Sequence, residues 1–260
     1  MRIVVSHDAA ALGRRAAEAS AAIMRAAIER DGVARIVLST GQSQFTTFEA
    51  LAAIEGIDWS KVEAFHLDEY IGLPESHPAS FRKYLRERFV NRTGVGRMHF
   101  VEGDPSCIAQ LCAELNRGPV HLGLVGVGQN AHVAFNDPPA DFHTQDAYII
   151  VTMDENSRRQ QVEEGWFASV DEVPERAISM SVAQIMRCEN ILSAVPYAQK
   201  ADAVRRMLES PLDPEIPATI LKTHPRFTMF VDRDSFAKAN VLAVLPAQGA
   251  SGFEMEVYTQ

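Results

Sequence analysis

Cysteine is scarce in this chain. Cys107, Cys112 and Cys188 are odd in number and form no CxxC pair. That excludes a disulfide framework and a cysteine-based zinc cage, and it fits a reducing, cytoplasmic setting. No apolar run approaches ~18 residues, so no membrane association through a spanning helix is expected. The opening stretch Met1–Asp8 meets an acidic residue too early for a signal peptide. Positive charge is in deficit: 25 Lys and Arg stand against 34 Asp and Glu, a net charge of −9. Non-specific nucleic-acid binding needs a basic surface, so nucleic acid is not an expected partner. An anionic small molecule still fits, provided a few cations are placed locally. No low-complexity stretch, fixed-period repeat or Gly/Ser-rich linker divides the chain. The eight histidines are scattered, and no His/Cys/Asp/Glu group shows metal-ligand spacing, so no metal is expected.

What remains is 260 residues, 47% apolar and 23% charged, the mix of a chain that buries a core. A single domain over residues 1–260 is expected. Short apolar runs alternate with helical segments, the pattern of βα units around a largely parallel sheet. Strands are predicted at Arg2–Ser6, Ala34–Ser39, Val62–Leu67, Val120–Val127, Tyr148–Val151, Ala177–Met180, Ile191–Val195 and Phe227–Val231. Val120–Val127 is the most continuous and is placed centrally. Asp8 caps a helix that Asp31-Gly32 ends. Further helices are predicted after the turn Thr40–Gln44 through about Ile54, over Phe81–Phe89 and over Pro105–Asn116. Val241–Gln260 has no clear pattern beyond a turn at Ala247–Gly252.

Open parallel sheets bind ligands beyond the carboxyl ends of their strands. Three polar segments fall there. Gly126–Pro138 carries His132 between Asn130 and Asp137, so one ring nitrogen can be fixed while the other faces a substrate. Its glycines lack the spacing of a dinucleotide turn. Asp68-Glu69 ends a predicted strand, and adjacent acids can raise one another's pKa to give a general base. Thr40–Gln44 leads from strand to helix, where backbone N–H groups and the helix dipole favour an anion. Taken singly, each has an ordinary explanation as a packed histidine, an acidic turn or a helix cap. Arg158 and Lys200, near predicted helix starts, are the candidate cations.

As a set, these residues resemble the glucosamine-6-phosphate deaminase/isomerase family. The resemblance rests on Asp68-Glu69-Tyr70-Ile71-Gly72-Leu73-Pro74 with His77–Phe81, on Gly126–Pro138, and on Asn156-Ser157-Arg158. Gln199-Lys200-Ala201 and Pro217–Pro225 complete it, in order from residue ~34 to ~232. It implies a three-layer α/β/α sandwich around a mainly parallel sheet, like ribose-5-phosphate isomerase and CoA-transferase domains. It implies a phosphorylated amino sugar as substrate and acid–base catalysis without a cofactor, and it leaves a homo-oligomer open. Asp68 is then the base moving a proton between C1 and C2, and His132 opens the ring, oriented by Asn130 and Asp137. Gly41, Gln42, Ser43 and Gln44, with Arg158 and Lys200, hold the 6-phosphate.

Three residues depart from the family pattern. Gln42 stands where the phosphate turn usually has a second glycine, so a different turn shape is expected if that position needs φ > 0. Asn130-Ala131 replaces Asp-Gly before the histidine, and the asparagine is similar to the galactosamine-6-phosphate branch. Asp137 replaces a glutamate. Two alternatives stand beside the deaminase reading. One is a 6-phosphogluconolactonase-type hydrolase, against which Asn136-Asp137-Pro138 speaks. The other is a non-catalytic sugar-phosphate sensor, for whose DNA-binding segment a first strand at residue 2 leaves no expected room.

Overall fold

A computed structural model of the chain describes residues 1–240 and 254–258. The strands are β1 (Arg2–Ser6), β2 (Ala34–Leu38), β3 (Val62–His66), β4 (Asp68–Tyr70), β5 (Arg97–His99), β6 (Leu122–Leu124), β7 (Tyr148–Thr152), β8 (Arg176–Met180), β9 (Ile191–Val195), β10 (Phe227–Asp232) and β11 (Glu254–Val257). Eight form a sheet in the order β11-β1-β10-β9-β6-β2-β3-β5, with every recorded pairing parallel. β6 lies inside it between β9 and β2, as predicted, though shorter than Val120–Val127. The predicted turn at Ala247–Gly252 lies outside the described residues.

The helices are α1 (Ala9–Asp31), α2 (Phe45–Ala53), α3 (Phe81–Leu85), α4 (Asn91–Thr93), α5 (Cys107–Leu115), α6 (Glu155–Glu163), α7 (Val182–Ile185), α8 (Ala201–Glu209) and α9 (Arg233–Phe236). α1 runs between the predicted signals: Asp8 accepts the Ala11 N–H, and Gly32 closes the end in the left-handed region. Period-2 alternation assigns the layers. Val4, Ile36 and Leu38 face α1 and α2, packing with Leu12, Met24, Phe48 and Leu51. Their neighbours Ile3, Val5 and Val37 face the opposite way, packing with Leu111 of α5, Ile185 of α7 and Val204 and Met207 of α8. Strands buried on both faces between helices are the expected three-layer sandwich.

The sequence reading needs one topological correction. Tyr148–Thr152 and Arg176–Met180 leave the parallel sheet; with β4 they form a second, antiparallel sheet in the order β4-β8-β7. Asp68-Glu69 is therefore not the frayed end of β3 but the start of a strand of its own, paired Asp68 to Ser179 and Glu69 to Ile178. A small apolar cluster of Tyr70, Phe135, Phe167 and Ala177 packs this sheet against the Gly126–Pro138 segment.

Candidate active site

One cavity opens beyond the carboxyl ends of four neighbouring strands, β9, β6, β2 and β3. Each contributes a segment: Tyr197–Lys200 after β9, Gly126–His132 after β6, Ser39–Ser43 after β2, and Asp68 after β3. Of the predicted residues, Gly41, Gln42, Ser43, Asp68, His132 and Lys200 line it; Gln44, Asn130, Asp137 and Arg158 do not.

The histidine is held from behind. His132 Nδ1 lies 3.2 Å from Asp137 Oδ1. That same oxygen accepts from Ser157 Oγ at 2.5 Å and Asn130 Nδ2 at 3.2 Å, and Oδ2 accepts from the Asp154 N–H at 3.1 Å. Burial pushes the Asp137 carboxyl up, but His132, Ser157 and Asn130 together hold it below the usual carboxylate value. Asn130 acts differently from expectation. Its carbonyl accepts the His132 backbone N–H at 3.0 Å and its amide donates to Asp137 and to Ser157 Oγ, so it reaches the ring only indirectly, through those two side chains. Flipping the amide would set a carbonyl against a carboxylate, so this orientation follows from the donors and acceptors around it. Gly128 makes room for the ring: a Cβ there would sit 2.3 Å from His132 Nε2. Ala131, where the family pattern has glycine, has φ 69°.

Asp68 and Glu69 have separate tasks. Glu69 is fully buried and ties the start of α3: its carboxylate accepts from Ser80 Oγ and the Arg82 N–H, both at 2.9 Å, and from the Arg82 guanidinium at 3.3 Å. Asp68 is 5% exposed and faces the cavity, and no hydrogen bond to its carboxyl is recorded among the described residues. Burial, and secondly the charge on Glu69, push its pKa up from 3.8 to about 8. The result is a protonatable carboxyl in the same cavity as an anchored imidazole.

At the other end lies the turn after β2. The positive φ falls on Gly41, at 101°, and not on Gln42, so losing a second glycine does not strain the turn. Ser43 lines the cavity, but the Gln44 N–H is committed to the Gly41 carbonyl at 3.1 Å. The Gln44 side chain is buried beneath, donating to Ser43 Oγ and the Ala194 carbonyl. Only part of the expected anion cradle is therefore open to a ligand. Lys200 is 8% exposed, and no partner for its ammonium is recorded among the described residues; burial, opposed by Glu164, lowers its pKa to about 8. Arg158 is elsewhere, donating to the Val170 carbonyl at 2.7 Å. The helical period explains this. Ser157, Gln160, Gln161 and Glu164 share the inward face at i, i+3, i+4 and i+7, and Arg158 sits about a third of a turn away.

Sequence reasoning missed several lining residues: Gln160, Gln161, Glu164 and Trp166 beyond Arg158, and Tyr84 and Tyr197. It also left Ser157 without a role, although Asn156-Ser157-Arg158 was its only available signal. Among the described residues, Glu63, His99 and Glu114 come within metal-ligand reach of one another, a grouping the scattered histidines did not reveal. Glu63 is already paired with Arg35 at 2.6 Å and His99 at 2.8 Å, and the group lies outside the cavity lining.

Comparison with known proteins shows the family. The model of the family described as "Glucosamine-6-phosphate isomerases/6-phosphogluconolactonase" matches residues 7–229, and the chain belongs to that family. Among individual relatives, a glucosamine-6-phosphate deaminase from Pseudarthrobacter chlorophenolicus is 32% identical over 241 residues, covering 89% of this chain and 90% of that protein. The solved structure of a monomeric glucosamine-6-phosphate deaminase superposes with a TM-score of 0.83 at 25% identity, over 92% of this chain and 100% of the other. A 6-phosphogluconolactonase from Shewanella baltica OS155 shares the fold, with a TM-score of 0.73 at 20% identity over 89% and 97% of the two chains.

Proposed function

We propose that this protein converts an amino-hexose 6-phosphate to the ketohexose 6-phosphate and ammonia by acid–base catalysis. The observation that carries this reading is a buried carboxyl, Asp68, with no hydrogen-bond partner recorded among the described residues, facing the same cavity as His132. His132, with Nδ1 fixed by Asp137, takes the O1 proton and returns it to O5, which opens the ring. Asp68 removes the C2 proton and delivers it to C1. C2 becomes an iminium carbon, water adds there, and ammonia leaves, so each turnover consumes one water. Proton transfers and hydrolysis of this kind need no metal or organic cofactor. Asn130, Asp137 and Ser157 position the imidazole, while Gly41–Ser43 and Lys200 receive the 6-phosphate. Arg158 joins them only by leaving the Val170 carbonyl.

Glucosamine 6-phosphate is the first substrate to test, and its C4 epimer galactosamine 6-phosphate the second. Asn130, the residue that resembles the galactosamine branch, lies behind His132 and outside the cavity lining, so it is not placed to read a sugar hydroxyl. Ammonia release is to be measured with both sugars beside hydrolysis of 6-phosphogluconolactone. Ammonia from either sugar supports the reading. Lactone hydrolysis without ammonia would replace it with the hydrolase reading, and binding without turnover would replace it with a sensor.

A further inference from the structure

Tyr197 is the one aromatic residue with positive φ among the described residues, at φ 80° and ψ 147°. That region is close to glycine-only, and a bulky side chain held there stores strain that the surroundings must impose. The constraint is visible. The Tyr197 N–H donates to Asp232 Oδ2 at 3.0 Å, and its carbonyl accepts the Lys200 N–H at 3.0 Å. Asp232 is itself buried and fixed, capping α9 through the Ser235 N–H at 2.8 Å. Tyr197 lines the same cavity as Lys200 and Tyr84. The Tyr84 hydroxyl is committed to the Gly41 carbonyl at 2.9 Å. No hydrogen bond from the Tyr197 hydroxyl is recorded among the described residues, and burial favours its protonated, donor form.

We propose that the Tyr197 phenol is a further ligand of the substrate's phosphate, working with Lys200 and Ser43. A phosphate monoester offers three strong acceptor oxygens. In this cavity the expected cradle has lost the Gln44 N–H and the Arg158 guanidinium to internal partners. A neutral donor on the same turn as Lys200 fills one of those vacancies. This inference rests on the sugar-phosphate reading above, and it adds a residue that no motif in the sequence marks.

The test compares the wild-type protein with Tyr197→Phe, Tyr197→Gly and Lys200→Met. Inorganic phosphate and glucosamine 6-phosphate are titrated against the fluorescence of Trp166, which lines the cavity. Tyr197→Phe keeps the ring and the backbone and should weaken both ligands about tenfold or more, the range for a hydrogen bond to a charged group. Its Tm should stay at the wild-type value. Tyr197→Gly should weaken binding at least as much yet raise Tm by roughly 2–5 °C, because the strain is released. Wild-type affinity in Tyr197→Phe, alongside loss in Lys200→Met, would overturn this inference and leave the sugar-phosphate site standing. No binding by the wild-type protein, or full binding by Lys200→Met, would overturn both. A lower Tm in Tyr197→Gly would remove the strain argument and the inference with it.

Discussion

Replacing Asp68 by asparagine should nearly abolish turnover and, at neutral and alkaline pH, make the fold more stable. The carboxyl titrates near 3.8 when unfolded and near 8 when folded. Below the lower value both states hold the proton and nothing is lost. Between the two values the unfolded chain has released it while the folded chain keeps it. Stability therefore falls as pH rises, by about 1.4 kcal/mol per pH unit. The loss is complete above pH 8 and amounts to about 6 kcal/mol, a large share of a domain's total stability. Asparagine cannot titrate, so Asp68→Asn should lack this slope, and its advantage over wild type should grow from about pH 4 to about pH 8 in urea unfolding. Turnover should fall by ~10²–10⁴, the usual cost of removing a positioned base. In the wild-type protein kcat/KM should rise with pH through about 8, as the free base ionises. The acid limb of kcat should lie ~1–3 pH units lower, because the ammonium of a bound amino sugar favours the carboxylate. A stability difference that is the same at every pH would refute the assignment of a raised pKa to Asp68.

Three further outcomes follow from the same geometry. Asn130→Asp keeps the acceptor for the His132 N–H but sets a second carboxylate where the amide now donates to Asp137 at 3.2 Å. Stability should drop by about 1–3 kcal/mol at neutral pH, and the drop should shrink as acid protonates the pair; a loss independent of pH in denaturant melts would contradict this. Gly128→Ala would place a Cβ 2.3 Å from the imidazole, so the ring must move and kcat should fall ~10²-fold with the far-ultraviolet spectrum retained. Wild-type kcat there would mean that His132 is not held where it is needed. Lys200→Ala should weaken the phosphorylated sugar by ~10- to 100-fold in KM while sparing its unphosphorylated form, and equal losses for both would remove Lys200 from the phosphate site.

Elements whose signal is local were legible in the sequence. Asp8 and Gly32 bound α1 because caps answer to immediate neighbours. β2 and β9 are buried along their whole length and read as largely apolar runs, each broken by a single polar residue, Arg35 and Ser193. β7 misled for the opposite reason. Of Tyr148–Thr152 only Tyr148 is buried, while Ile150 and Thr152 are exposed and Ile149 and Val151 half-buried, so an exposed position carries isoleucine and the strand's solvent side leaves little polar trace. With β7 and β8 assigned to the parallel sheet, β4 could not be seen as their partner. In the site, Gly41, Asp68, His132 and Lys200 could be read from motifs that sit at strand ends. Gln160, Gln161 and Glu164 could not, since their common helical face becomes meaningful only once α6 lies over the cavity. Tyr197 left no sign at all, because positive φ at a bulky residue contradicts local preference and is imposed by Asp232, 35 positions away.

Burial acts on Asp68 and Lys200 in opposite senses. Burial pushes Asp68 up to about 8 and Lys200 down to about 8, so both groups are driven toward their neutral forms. Each is restored to its charged form by a different part of one ligand. A phosphate dianion beside Lys200 favours the ammonium, and a cationic amine beside Asp68 favours the carboxylate needed to take a proton from carbon. A lactone 6-phosphate brings only the dianion. Its field would strengthen Lys200 but raise Asp68 further, leaving the base protonated. A simple hexose phosphate has the same defect. On the proposed reading, the pairing of a buried carboxyl with a buried lysine favours, at neutral pH, a ligand that is negative at one end and positive near the other, as an amino-hexose 6-phosphate is.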